Sequence, residues 1–168
     1  MLIRHVRSAS LALALLGCGR DGAAGRPHAA AAPDSAFAGV QARGEAAMGV
    51  NQYTSRHIFE PLPDGGRIEL QRNVDDSAGT AQIRTHMRQI ARQFEGGDFR
   101  LPGFVHARTV PGTDLMAGRR DVITYTVESL PRGAALRVRS TDPTAVRAIH
   151  EFLAFQRQDH HAGAHRDS

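Results

Sequence analysis

Four histidines and a methionine carry residue types that could do chemistry in this sequence: His57, His86, His106, His150 and Met116. Imidazole is the commonest metal ligand, and its ordinary pKa lies close to neutrality. Thioether sulfur suits cuprous copper. His86 lies three residues after Ile83 and four before Ile90, so on a helix it borders the apolar stripe. His150 borders the matching stripe of a second helical segment. If the two helices lie side by side, these imidazoles approach each other, and His57 or His106 completes a site with Met116 as a softer ligand. Copper or zinc is the metal such a set would hold. The ordinary alternative is that His86 and His150 are boundary residues bonded to neighbouring polar groups, with Met87 as core filler.

A second metal candidate lies in the tail, where Asp159 is followed by His160 and His161, with His165 one helical turn further on. Gly163 interrupts a helix there, so a frayed polar terminus is the competing reading. Glu151, Asp98 and Ser129 add acid–base and nucleophile types. No spacing matches a nucleophile elbow, a zinc-protease helix or a phosphate loop. No catalytic residue is therefore assigned, and a small hydrolase or transferase is the third-ranked expectation.

The elements that must position these side chains read as follows. His57-Ile58-Phe59 runs to Leu62. Pro63-Asp64-Gly65-Gly66 then turns the chain into the alternating Arg67-Ile68-Glu69-Leu70, the pattern of a hairpin. Pro61 places the first strand at a sheet edge. Ile83, Met87, Ile90, Ala91 and Phe94 mark one face of an amphipathic helix, with Ser77 or Thr80 as cap and Gly96-Gly97 as stop. Residues 98–120 read as a long Gly/Pro-containing loop. Val122–Val127, Pro131-Arg132-Gly133 and Leu136–Arg139 form a second hairpin. Thr141-Asp142-Pro143 starts a second helix whose stripe is Val146, Ile149, Phe152 and Leu153. Matching Ile83 with Val146, and Ile90 with Leu153, gives a duplicated ββα unit. The predicted fold is α+β, a four-stranded antiparallel sheet with two helices on one face.

The N-terminal region sets the address. Arg4 and Arg7 precede the apolar run Leu11–Leu16, then Gly17 and Cys18, the only cysteine. The run is far short of the ~20 residues that span a bilayer. Its layout resembles a bacterial lipoprotein signal peptide ending in a lipobox. The resemblance implies that residues 1–17 are removed and that Cys18 carries the fatty acyl anchor, in the inner or outer membrane, with the chain facing the periplasm. Residues 18–46, rich in Ala, Gly and Pro, read as a flexible tether, residues 47–161 as the α+β domain and 162–168 as a disordered tail. The mature chain would keep 151 residues, one domain's worth, and a net charge of +2. Every basic residue is arginine, interspersed with 17 acids, so the high pI near 10.4 marks a solvated surface rather than a nucleic-acid partner.

The folded region also resembles a family of small exported bacterial proteins. The resemblance rests on Met48–Gln52, His57-Ile58-Phe59, Asp64–Glu69, Ile83–His86, Phe94–Phe99, Pro102, His106, Met116, Ala148–Gln156 and Asp159-His160-His161. It covers most of residues 48–163. Members often bear the name aspartate carbamoyltransferase. That enzyme is much longer, cytosolic, and binds carbamoyl phosphate through a Ser-Thr-Arg-Thr-Arg loop, and this chain has neither the length nor the loop. The resemblance implies that the histidines act as a set. The expected function is a lipid-anchored binding or accessory protein of the cell envelope, holding a transition metal through histidines. A structural or interaction lipoprotein without a ligand is the alternative.

Overall fold

A computed structural model describes residues 35–162. Cys18, the signal segment and His165 lie outside the described residues. The elements are α1 (Ser35–Met48), β1 (Ser55–Leu62), β2 (Gly65–Arg72), α2 (Ser77–Glu95), α3 (Arg100–His106), α4 (Thr113–Gly118), β3 (Ile123–Leu130), β4 (Gly133–Ser140) and α5 (Pro143–Asp159). The four strands form one antiparallel sheet in the order β1-β2-β4-β3. The chain is α+β, as expected, with Pro61 in an edge strand.

Strand alternation sorts the two faces of the sheet. Phe59, Leu70, Leu136, Val138 and Tyr125 face the helices and are buried. Arg67, Arg137, Arg139 and Glu128 occupy the other face, where Arg67 pairs with Glu128, and both Arg137 and Arg139 pair with Asp64 in the first hairpin turn.

The two halves are related by a constant displacement in the strands. Ser55–Leu62 matches Ile123–Leu130 and Gly65–Arg72 matches Gly133–Ser140, 68 residues on in each case. Each hairpin turns through two residues, Pro63-Asp64 and Pro131-Arg132. Gly65 opens β2 with φ +138°. A Cβ on Gly133 would stand 1.9 Å from the Leu70 carbonyl oxygen, so the central β2/β4 pair closes only over glycine.

The helices match at a displacement of 66. Asp76 caps α2 by accepting from Gly79 N–H at 3.0 Å, and Asp142 caps α5 by accepting from Thr144 N–H at 2.7 Å. The cap of α2 is thus Asp76, not Ser77 or Thr80, because a carboxylate placed just before the first turn meets its free N–H groups. With the caps aligned, Ile83 corresponds to Ile149 and Met87 to Leu153, all fully buried. Ile83 does not correspond to Val146. The halves also interlock: α2 lies mainly over β3 and β4, and α5 mainly over β1 and β2. Each helix therefore buries its stripe on the other half's hairpin.

Two segments differ from expectation. Residues 35–46, read as tether, are helical. α1 buries Val40, Gln41 and Gly44 against α3, and Arg43 Nε donates to the Val105 carbonyl at 2.8 Å. Alanine is the best helix former, and small side chains let α1 lie close. Residues 98–120, read as loop, hold α3 and α4. The Asp98 side chain accepts from Arg100 N–H at the start of α3. Ala107 at φ 52° ends α3, and Gly112 at φ 81° begins α4. Val105, Val110 and Met116 anchor the segment in the core.

Candidate functional site

Between the helix-covered face of the sheet and the helices lies a cavity of about 70 Å³, several times the ~10–15 Å³ that one buried water requires. Its walls come from β1, β2, β4, α1, α2, α3 and α5. They are almost wholly apolar, with Phe59, Phe94 and Phe152 among them, yet four imidazoles face the same space: His57, His86, His106 and His160. Among the described residues, no arginine, aspartate, glutamate, serine, threonine or cysteine lines it.

Each histidine arrives there for a local reason. His57 pairs in register with Leu70 and shares the inward face of β1 with Phe59. His86 stands one turn after Ile83 on the buried stripe of α2. His106 closes α3, and His160 follows the last turn of α5. The His160 ring stacks on His57 at 5.4 Å between centroids and meets His106 nearly edge-on at 5.0 Å.

The nitrogens divide into two groups. His106 has a partner at each nitrogen: Nδ1 meets the Asp159 carboxylate, and Nε2 lies 3.1 Å from the Gln156 side-chain amide. Arg108 donates to the other Asp159 oxygen at 2.8 Å and lies over the Phe155 ring. By contrast, His57 Nδ1 and His86 Nε2 are buried and have no hydrogen-bond partner among the described residues. An unmatched buried polar atom costs about 1–3 kcal/mol, and both residues line the cavity.

Burial also fixes the charge state. It pushes His57 down to about 4, with the neighbouring His86 adding to the shift, and pushes His86 down to about 4 by itself. His160 falls to about 3, through burial first and then through His57 and His106. At neutral pH these three imidazoles are uncharged, each with one N–H and one lone pair.

The expected metal set is divided by this geometry. His57, His86 and His106 share the cavity, but His150 does not line it. His150 Nε2–H donates to the Leu62 carbonyl at 2.9 Å. Met116 is fully buried in the core below α4 and also lies outside the cavity. His106 has both nitrogens occupied. In the tail, His160 turns inward while His161 stacks on Phe37 of α1 at 4.3 Å, so the two neighbours do not converge. Among the described residues, no group of three or more His, Cys, Asp or Glu is placed to hold a metal ion. The partners that sequence reasoning missed are Gln156 and Asp159 as the clamp on His106. Their spacing of three on α5 was the available signal.

Met48 and His86 line both the cavity and a surface recess formed with Gln82, Thr85 and Gln89. No described helix is long and apolar enough to cross a membrane. No protein-family model, curated protein or solved structure matches this chain.

Proposed function

We propose that this chain is a ligand-binding accessory protein of the cell envelope, exported and anchored through a lipid on Cys18, that encloses a small molecule in the cavity between its sheet and helices. One observation carries the reading: His57 and His86, whose Nδ1 and Nε2 are buried without a hydrogen-bond partner among the described residues, both line one largely apolar cavity. A protein interior normally pairs such atoms or fills the space. The transition-metal reading is not carried forward, because its ligand set is scattered between the cavity, the hairpin end and the core. No step of bond-making chemistry is assigned.

Mass spectrometry of the full chain purified from its own membranes tests both halves. The expected result is an acylated Cys18 and one small molecule released per chain on denaturation. A ligand-free chain whose melting temperature no member of a fragment library raises would overturn the binding half. An unmodified Cys18 in membrane-extracted protein would overturn the anchor.

A further inference from the structure

We propose that β3 is the seam of a homodimer, in which two copies of this chain pair their β3 strands antiparallel about a two-fold axis and join their sheets into one. The internal repeat supplies the comparison. β1 and β3 are the two edges of the sheet and occupy equivalent places, 68 residues apart, but only β1 is guarded. Pro61 offers no N–H there, and Arg157 of α5 donates to the Phe59 carbonyl at 3.0 Å. The counterpart of Pro61 in the second half is Ser129, and the counterpart of Arg157 is Ala91, so β3 has neither guard. Ser140 N–H donates to the Asp64 carbonyl at 2.9 Å. By alternation, Val138, Leu136 and Ala134 also turn toward β2, and Arg139, Arg137, Ala135 and Gly133 bond β3. Their register partners are Thr124, Thr126, Glu128 and Leu130. Ile123, Tyr125, Val127 and Ser129 therefore point their N–H and C=O groups away from the sheet. Among the described residues, no backbone hydrogen bond from outside the sheet reaches these four. The strand runs one-to-one with β4, without a bulge. It has no proline, lysine or inward charge, the devices that blunt natural edges. Its sequence also complements itself. The register centred on Thr126 overlaps the strand almost completely and sets Tyr125 opposite Val127 of the second copy, an aromatic and β-branched pair. Glu128, the one charged residue of β3, falls opposite Thr124 and away from its own twin. Val122, 47% exposed just before the strand, comes beside Leu130 of the second copy. Two-fold dimers are the commonest assembly of identical chains, and this one leaves no open β3 edge.

The full-length chain in detergent is the sample, its protein mass read by light scattering over a dilution series. A mass twice that of the chain is expected. Thr126→Cys sets two thiols across the axis at a non-hydrogen-bonded pair, with Cα atoms about 4.5 Å apart, within the span of a disulfide. Mild oxidation should link that dimer covalently. Thr124→Cys, which faces Glu128 of the second copy, should not link. The unaltered chain, whose only cysteine is Cys18, is the blank. Ser129→Pro installs on β3 the guard that β1 has in Pro61. It removes one seam hydrogen bond at each end and none within the chain's own sheet, so it should weaken dimerisation about ten-fold or more. Should that variant not fold, the two cysteine variants decide. A chain that is monomeric throughout the series overturns the proposal. So does a dimer in which Thr124→Cys links as readily as Thr126→Cys, or one that folded Ser129→Pro leaves unchanged. A monomer whose Tyr125 and Val127 amides exchange slowly would also overturn it, and would give the edge to another segment of the same chain.

Discussion

His150 and Arg84 occupy equivalent places in the two halves of the fold. Arg84 on α2 donates to the Leu130 carbonyl at 2.6 Å and to Gly133 at 3.1 Å, at the end of the second hairpin. His150 on α5 donates to the Leu62 carbonyl at 2.9 Å, at the end of the first. Leu62 and Leu130 are 68 apart, like the rest of the strands, and Arg84 and His150 are 66 apart, like the helix caps. Both side chains pin a helix to the turn of the other half's hairpin. The role of His150 is therefore structural. His150→Ala should cost about 1 kcal/mol, one net hydrogen bond, and Arg84→Ala more, since it frees two carbonyls. Urea denaturation measures both. Neither substitution should change binding of a cavity ligand, and a His150→Ala chain that folds normally but loses binding would restore His150 to the site.

This equivalence also shows where the sequence is legible. Both hairpins and both long helices follow from alternation, periodicity and the Pro-Gly turns. The internal repeat is readable too, but only to within a helical turn. Aligning Ile83 with Val146 is three residues off the aligned caps, and 3.6 residues make a turn, so apolar stripes match almost equally well in either register. That slip is what placed His150 opposite His86. The cap residues Asp76 and Asp142 carry the register, because a cap has no periodic twin. α1 escaped notice since its stripe is weak and its buried residues are Val40, Gln41 and Gly44, not large hydrophobics. α3 and α4, at seven and six residues, are too short for any periodic signal. Two of the four cavity histidines, His57 and His86, sit at readable positions. His106 and His160 join them only through the path of α3 and the end of α5.

Stability should fall with acid in a defined window. His57, His86 and His160 have folded pKa values near 4, 4 and 3 against 6.5 when unfolded. The unfolded chain thus binds more protons between these limits, and stability rises with pH. It is complete above about 6.5 and is lost progressively toward 4, by an amount on the order of several kcal/mol in total. The groups around these rings are one another, His106, His161 and Asp159. Asp159 is buried in part, which raises it, but His106, Arg108 and His160 together hold it below the ordinary value. Its contribution is therefore present above about 3.8 and lost only in stronger acid. Urea midpoints at pH 7.5, 6, 5 and 4.5 check the slope, and His86→Leu should flatten it. An unchanged midpoint from pH 7.5 to 4.5 would show that these imidazoles are not buried as neutral groups.

The central strand pair should tolerate no side chain at its glycine. A Cβ on Gly133 meets the Leu70 carbonyl oxygen at 1.9 Å and the Gln71 Cα at 2.9 Å. Both are backbone atoms, which cannot swing aside. Gly133→Ala should therefore cost about 3 kcal/mol or more, and it strains the carbonyl that Arg84 grips. Gly118→Ala is the control: nothing lies within 4 Å of its added methyl, and alanine is the better helix former, so stability should hold or rise by up to about 1 kcal/mol. Thermal melts that rank the two variants in the other order would contradict the β2/β4 register.

Asp159 meets His106 Nδ1 and accepts from Arg108, and Gln156 holds the remaining His106 nitrogen. This clamp fixes the His106 ring, against which His160 lies edge-on, and His160 in turn stacks on His57. Asp159→Asn keeps the shape but weakens a charge-assisted bond to a buried ring, an expected loss of about 1–3 kcal/mol. Asp159→Ala removes the acceptor altogether and should cost more. His106→Phe keeps the ring and removes both nitrogens, leaving Gln156 unmatched. If the clamp acts as a unit, the double variant His106→Phe/Asp159→Ala should lose less than the sum of the singles, by about 0.5–3 kcal/mol. Because His57 is reached only through His160, the clamp variants should also weaken binding of a cavity ligand several-fold, an effect that His150→Ala does not share. Additive losses, with ligand binding untouched, would mean that His106 and Asp159 hold the end of α5 in place and take no part in shaping the cavity.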